Sequence, residues 1–105
     1  GVYATATVYE GKLYYGMTNV GYNPTVNGKR KTVETNLFDF DKVIYGEPIL
    51  TFFFKWLRDE NKFESVEALR QQLTRDIVNA KEYFLSEEYK YWKENFESEY
   101  KTVEK

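Results

Sequence analysis

The hydrophobic period of the chain changes near residue 64, which restricts it to a β-rich first part followed by a helical second part. Up to Phe63, short runs rich in Val, Tyr, Thr and Phe are separated by turn formers, the pattern of an antiparallel barrel or sandwich. Val2 to Tyr9 reads as one strand, Glu10-Gly11-Lys12 as a hairpin-like turn, and Leu13 to Val20 as the returning strand. Gly21 to Lys31 contains Pro24, Asn27 and Gly28 and is expected to be a loop. Thr32 to Phe40 and Ile49 to Trp56 supply the third and fourth strands. The run Thr51-Phe52-Phe53-Phe54 does not alternate. It is either a strand buried on both faces or one that carries an exposed aromatic patch.

From residue 64 the period is helical. Ser65 is placed to cap a helix, with Glu64 and Glu67 near the positive end of its dipole. Val66, Leu69, Leu73, Ile77, Ala80 and Phe84 then form one apolar stripe. Ser86-Glu87-Glu88 looks like a second cap, followed by Leu85, Tyr89, Trp92, Phe96, Tyr100 and Val103 on a strongly charged helix. Those aromatics are expected to pack against the strands, the first helix or another chain. A chain of 105 residues is one domain, here with strands and loops over 1–63 and helices over 64–105.

Composition narrows the chemistry. Fifteen basic and 17 acidic residues leave a net charge of −2, so electrostatics give no case for a nucleic-acid partner. Lys29-Arg30-Lys31 reads as a solvated loop tip. No apolar run approaches the roughly 18 residues of a membrane span, and nothing reads as a signal peptide. The absence of cysteine fits a reducing compartment, and a cytoplasmic location is expected. Histidine is also absent, so acid–base work must fall to Asp, Glu, Lys or Tyr. One acid stands out. Glu34 interrupts the strand-like run Lys31 to Asp41, where an acidic residue is disfavoured unless solvated or useful. It is either on a wet face or held in place to take a proton.

The order of several short pieces resembles the riboflavin kinase family, the flavokinase domain found alone in eukaryotes and at the C-terminal end of bacterial bifunctional FAD synthetases. The pieces are Gly1-Val-Tyr-Ala, Gly16-Met-Thr-Asn-Val-Gly21, Asn23-Pro24-Thr25, Thr32 to Asp41, Tyr45-Gly46, Leu57-Arg58-Asp59-Glu60, Lys62-Phe63 and Asp76 to Lys81. They span most of residues 1–84. The resemblance implies a mainly β fold with C-terminal α: a small antiparallel Greek-key β-barrel, incomplete at its N-terminus, with packed helices. It also implies an enzyme that transfers the γ-phosphoryl group of Mg²⁺-bound ATP to the ribityl 5′-hydroxyl of riboflavin, giving FMN and ADP. ATP and riboflavin enter from opposite directions in that family. Glu34 matches the catalytic glutamate, the general base. Leu37, Asp39 and Tyr45 match ATP-side positions, and Arg58, Asn61, Lys62 and Phe63 match the flavin-side loop. Read without the resemblance, Tyr45 is equally a turn-anchoring aromatic beside Gly46, and Phe63 a core residue before the helix cap.

One departure from the family pattern bears on activity. Family members carry, ahead of the Gly-Val-Tyr strand, a further strand, a Gly-rich turn and a Pro-Thr-Ala-Asn motif that binds the metal and phosphates. This chain starts at Gly1-Val2-Tyr3. Thr25 and Asn27 of Pro24-Thr25-Val26-Asn27 are the only stand-ins for a metal site, and they lie at the wrong place in the order. The expectation is therefore an N-terminally truncated domain that binds Mg–ATP poorly, with open sheet edges that invite self-association through an edge or a C-terminal helix. The competing readings are a non-catalytic flavin- or nucleotide-binding barrel and a self-associating fragment whose aromatics merely pack.

Overall fold

A computed structural model describes residues 1–103, with side chains through residue 95. Its elements are β1 (Val2–Tyr9), β2 (Lys12–Thr25), β3 (Gly28–Leu37), β4 (Leu50–Arg58), α1 (Val66–Phe84) and α2 (Glu87–Val103). The strands form one antiparallel sheet in the order β3-β2-β1-β4. Two hairpins in succession, then a fourth strand that returns beside the first, is the Greek-key order expected from the sequence. Among the described strands β3 and β4 are the edges and do not pair with each other, so the ring stays open.

Alternation along β1 explains how the sheet packs. Val2, Ala4, Ala6 and Val8 point to one face and Tyr3, Thr5, Thr7 and Tyr9 to the other. The small Ala4 and Ala6 let the helices approach, and both are fully buried. Val2, Ala4, Ala6, Met17 and Phe38 join Ala80 and Phe84 of α1 and Tyr89 of α2 in the core. The aromatics expected on the second helix do pack inward as far as they are described. Tyr89 lies edge-on to Tyr15, Phe54 and Phe84, and Trp92 meets Phe52 and Phe54. Phe96, Tyr100 and Val103 lie outside the described side chains. Only the C-terminal half of the first stripe is buried, since Val66 is exposed while Ala80 and Phe84 are not. Both caps form: the hydroxyls of Ser65 and Ser86 accept hydrogen bonds from the backbone N–H groups of Ala68 and Tyr89.

The Phe52-Phe53-Phe54 run uses both faces of β4. Phe52 and Phe54 meet the helices, whereas Phe53 packs edge-on against Tyr3 on the far face and stays half exposed. A register shift between the partners of Ala4 and Thr5, Lys55 and Phe53, leaves Phe54 as the extra residue of a bulge.

The turns contain one correction. Glu10 and Gly11, with φ of 49° and 76°, make the expected tight hairpin. Gly21 to Lys31, expected as a loop, is instead a two-stranded arm, with Thr25 paired to Gly28 across the two-residue turn Val26-Asn27. Val26 and Asn27 make the whole reversal, with Gly28 at φ 141° closing it, so the residues on either side remain free to pair. The basic cluster therefore lies on an exposed strand, opposite Tyr22, Asn23 and Pro24, rather than on a loop tip.

Close approach of β2 and β3 depends on Gly16. A Cβ there would overlap the backbone carbonyl oxygen of Asn36, which cannot turn away. We expect Gly16→Ala to cost about 2 kcal/mol of stability by strain of this kind. A urea titration would show it as a lower midpoint with an unchanged slope.

Candidate active site

The sheet curls until both of its edges line one cavity of about 560 Å³. Thr35 and Leu37 come from β3, Thr51 and Phe53 from β4, and Phe40 and Tyr45 from the segment that joins them. On this face the threonines of adjacent strands meet. The Thr5 and Thr18 hydroxyls are 3.0 Å apart, those of Thr18 and Thr35 2.9 Å, and those of Thr7 and Thr51 2.9 Å. Buried hydroxyls thus satisfy one another across all four strands, as buried polar groups must. Their signal in the sequence is the Ala-Thr-Ala-Thr alternation of β1.

Of the three residues expected on the ATP side, Leu37 and Tyr45 line this cavity and Asp39 does not. Leu37 lines it from the end of β3. Asp39 follows in a turn with φ of 55°, a conformation Asp tolerates better than most residues. That turn drops Phe38 into the core, where its N–H donates to the Tyr15 carbonyl at 2.7 Å. Tyr45 sits at the head of the Ile44–Glu47 turn, closed by a Glu47 N–H to Ile44 carbonyl bond, with Gly46 at φ 79°. Its ring is 95% exposed yet lines the cavity, so it anchors no core.

Glu34 and Arg58 lie on the opposite face. Register places Arg58, Val2, Asn19 and Glu34 in one row across β4, β1, β2 and β3. Glu34 is exposed, and neither it nor Arg58 is among the residues that line the cavity. Tyr45 therefore lies on the cavity side of the sheet and Arg58 in the row on its other face. Because β3 is an edge strand, a group bound on either face can reach round it.

Arg58 is heavily engaged. Its Nε and Nη2 donate to the two carboxylate oxygens of Asp76 at 2.8 and 2.7 Å, and its Nη1 donates to the Asp59 carbonyl at 3.0 Å. The guanidinium also lies 5.7 Å from the centre of the Phe63 ring. Asp76 on α1 is buried and accepts a further bond from Gln72 at 2.9 Å. Burial raises the pKa of the Asp76 carboxyl. The Arg58 and Gln72 hydrogen bonds and the charges of Arg58 and Arg75 outweigh it, and the net shift is downward. Arg58 thus ties the end of β4 to α1 and holds the loop carrying Asn61, Lys62 and Phe63. Asn61 and Lys62 are exposed and Phe63 is half buried.

The titratable groups narrow the choice of base. The Tyr9 phenol is pushed up to about 12 by its hydrogen bond with Glu10, by burial and by the charges of Glu10 and Glu47. Burial and the charge of Glu88 raise Tyr83 as well. Neither phenol is suited to accept a proton near neutral pH.

No group of three or more Asp, Glu, His or Cys side chains that could hold a metal forms among the described residues. Thr25 and Asn27 lie at the exposed tip of the β2–β3 arm and supply one hydroxyl and one amide. Those residues do not fit a divalent-metal cage.

Sequence reasoning missed Asn19, Gly21, Glu60 and Asp76. Asn19 donates to Glu60 at 3.5 Å, and a Cβ on Gly21 would overlap the Glu60 carboxylate. Asp76 had a signal, since it falls three residues after Leu73 and four before Ala80, on the apolar stripe of α1.

Fold and site together define a curled antiparallel sheet with a cavity on one face, an acidic and arginine-bearing loop beyond the end of β4, and an edge strand beside the cavity. The family model described as riboflavin kinase (flavokinase) matches residues 1–84. The chain belongs to the riboflavin kinase family. It is 39% identical over 87 residues to the bifunctional riboflavin kinase/FMN adenylyltransferase of Bacillus subtilis, covering 80% of this chain and 28% of that protein. The Haemophilus influenzae protein of the same description is 38% identical, with 82% of this chain and 28% of that protein covered. The RNA-binding riboflavin kinase RibR of Bacillus subtilis is 38% identical over 78 residues, covering 73% of this chain and 34% of that protein. The chain thus spans about 28% of the length of the two bifunctional relatives. Among solved structures, one described as a macrolide-efflux protein from Streptococcus pneumoniae superposes with a TM-score of 0.73 at 36% identity, over 77% of this chain and 27% of that one. The family match ends at the C-terminus of α1, so α2 lies outside it. No helix among the described residues is long and apolar enough to cross a membrane.

Proposed function

We propose that this chain forms the riboflavin kinase part of an FMN-producing enzyme, with Glu34 as general base. Family membership supplies the reaction class. The observation that carries the reading is the position of Glu34 on an edge strand, between the cavity that Leu37 and Tyr45 line and the face that bears the Arg58–Phe63 loop. Riboflavin lies on the loop face, its apolar ring against Phe63 and its ribityl chain directed toward β3. ATP lies on the cavity side, its base among Phe40, Tyr45 and Phe53. Glu34 takes the proton of the ribityl 5′-hydroxyl as that oxygen bonds to the γ-phosphorus, and the bond to the β–γ bridging oxygen breaks to release ADP. Mg²⁺ travels with ATP as part of the substrate. Such ions are commonly held by substrate phosphates and water rather than by an all-protein cage, and no step here depends on a residue of this chain binding it.

FMN formation from riboflavin and Mg–ATP in the full-length protein tests the reading. Absence of FMN, with a folded protein that binds riboflavin, would leave only a flavin-binding module. Tyr45 offers a separate check of the ATP side. Because its ring is almost fully exposed, Tyr45→Ala is expected to leave the melting temperature unchanged. The same variant should raise the KM for ATP about fivefold, the scale of one lost stacking contact, with the KM for riboflavin unaffected.

A further inference from the structure

The loop face holds a second carboxylate whose placement is built into the sheet. Glu60 lies two residues beyond β4 and reaches over to β2, where its carboxylate occupies the space a side chain at residue 21 would fill. Gly21 is buried, and its backbone is not in the left-handed region, so the glycine makes room rather than a turn. Asn19 stands two residues earlier on the same face of β2. Its amide donates to Glu60 Oε2 at 3.5 Å, and Glu34 is its register partner on β3. Cross-strand partners have Cβ atoms about 5 Å apart. Glu34, Asn19 and Glu60 are thus neighbours, with Asn19 in the middle.

The cluster is short of donors. Ionised carboxylates only accept hydrogen bonds. The Asn19 Oδ1 atom is shielded from solvent and has no partner among the described residues. The one guanidinium in the row, Arg58, is already committed to Asp76. A third acidic group that would complete a divalent cage is not present among the described residues. What suits such a surface is a flexible chain of hydroxyls, each of which brings a donor.

We propose that Glu60, seated on Gly21 and steadied by Asn19, is the residue that recognises the polyol chain of the flavin and so delivers its terminal hydroxyl to Glu34. This rests on the riboflavin kinase reading and deepens it by assigning selectivity for the ribityl side chain, as distinct from the ring, to a residue outside the reaction step. Gly21 becomes a selectivity position as well, because any side chain there evicts the carboxylate.

The test compares riboflavin with lumiflavin, which has the same ring and no ribityl chain, by fluorescence titration of the full-length protein and its variants. Glu60→Gln and Gly21→Ala are each expected to weaken riboflavin about tenfold, the scale of one hydrogen bond to a charged group, while lumiflavin affinity stays constant. The double variant should match either single, because both remove the same contact. In the kinase assay the KM for riboflavin rises while the KM for ATP does not. An equal loss for both flavins, or no loss for riboflavin, overturns the assignment of Glu60 and leaves the kinase reading standing. Wild-type protein with no riboflavin affinity overturns both. Gly21→Ala guards against misfolding as an explanation, since only the end of an exposed side chain has to move.

Discussion

Glu34→Gln is expected to lower kcat for FMN formation by about a hundred- to ten-thousandfold, the usual contribution of a positioned general base. The KM values for riboflavin and ATP should change little, because the amide keeps the shape and can still hydrogen-bond the hydroxyl. Glu34 is exposed and enters no ion pair among the described residues, so the melting temperature should hold within a degree or two of wild type. That combination separates loss of a proton acceptor from loss of structure. A variant that retains a third or more of the wild-type kcat would mean that another group, or solvent, takes the proton. The geometric reason for betting on Glu34 is its strand. An edge strand fixes the Cα by hydrogen bonds on one side only, and leaves the other side open to whatever binds around it.

The second large effect is structural. Asp76 is 1% exposed and Arg58 17%, and the two share a bidentate contact that Gln72 completes. Removing one member of such a pair strands the other, at a cost of about 3 kcal/mol. Asp76→Asn is therefore expected to destabilise the fold by about that amount, and the Arg58→Ala/Asp76→Ala cycle to show strong coupling. Riboflavin affinity should fall as well, because the same contact holds the Asp59–Phe63 loop. Acid should mimic the substitution. The folded-state pKa of Asp76 lies below the ordinary value of 3.8. Its contribution is thus fully present above that value and is lost as pH falls through the lower folded one. Urea titrations between pH 2.5 and 6 would show wild type losing its advantage over Asp76→Asn at the acid end. Parallel profiles would indicate that the ion pair contributes nothing.

Local chemistry made much of the fold legible. The Glu10-Gly11 hairpin and the Ser65 cap follow from neighbours in sequence and appear where expected, whereas the 3.6-residue stripe is buried only in its C-terminal half. The Gly21–Lys31 segment was misread because Pro24, Asn27 and Gly28 look like a loop when counted together. In fact Val26-Asn27 alone turns the chain, and the other residues continue the strands. The site was legible only in part. Glu34 announced itself as an acid in a strand, and the family pattern supplied Leu37, Tyr45 and the Arg58–Phe63 loop. Which face each residue occupies depends on register, and a shift of one residue would have exchanged them. The commitment of Arg58 to Asp76, and the seat of Glu60 on Gly21, join residues 18 and 39 positions apart. Such contacts exist only once the sheet and helix have met, so spacing along the chain carries no trace of them.

The central claim is that two substrates approach opposite faces of the sheet and meet at β3. Amide chemical-shift mapping of the full-length protein with riboflavin alone, and then with a non-hydrolysable Mg–ATP analogue alone, measures this directly. Riboflavin should shift residues 19–21 and 58–63, the analogue should shift residues 35–37 and 40–53, and both should shift Glu34. Two ligands that perturb the same face, or a Glu34 amide that responds to neither, would contradict the account.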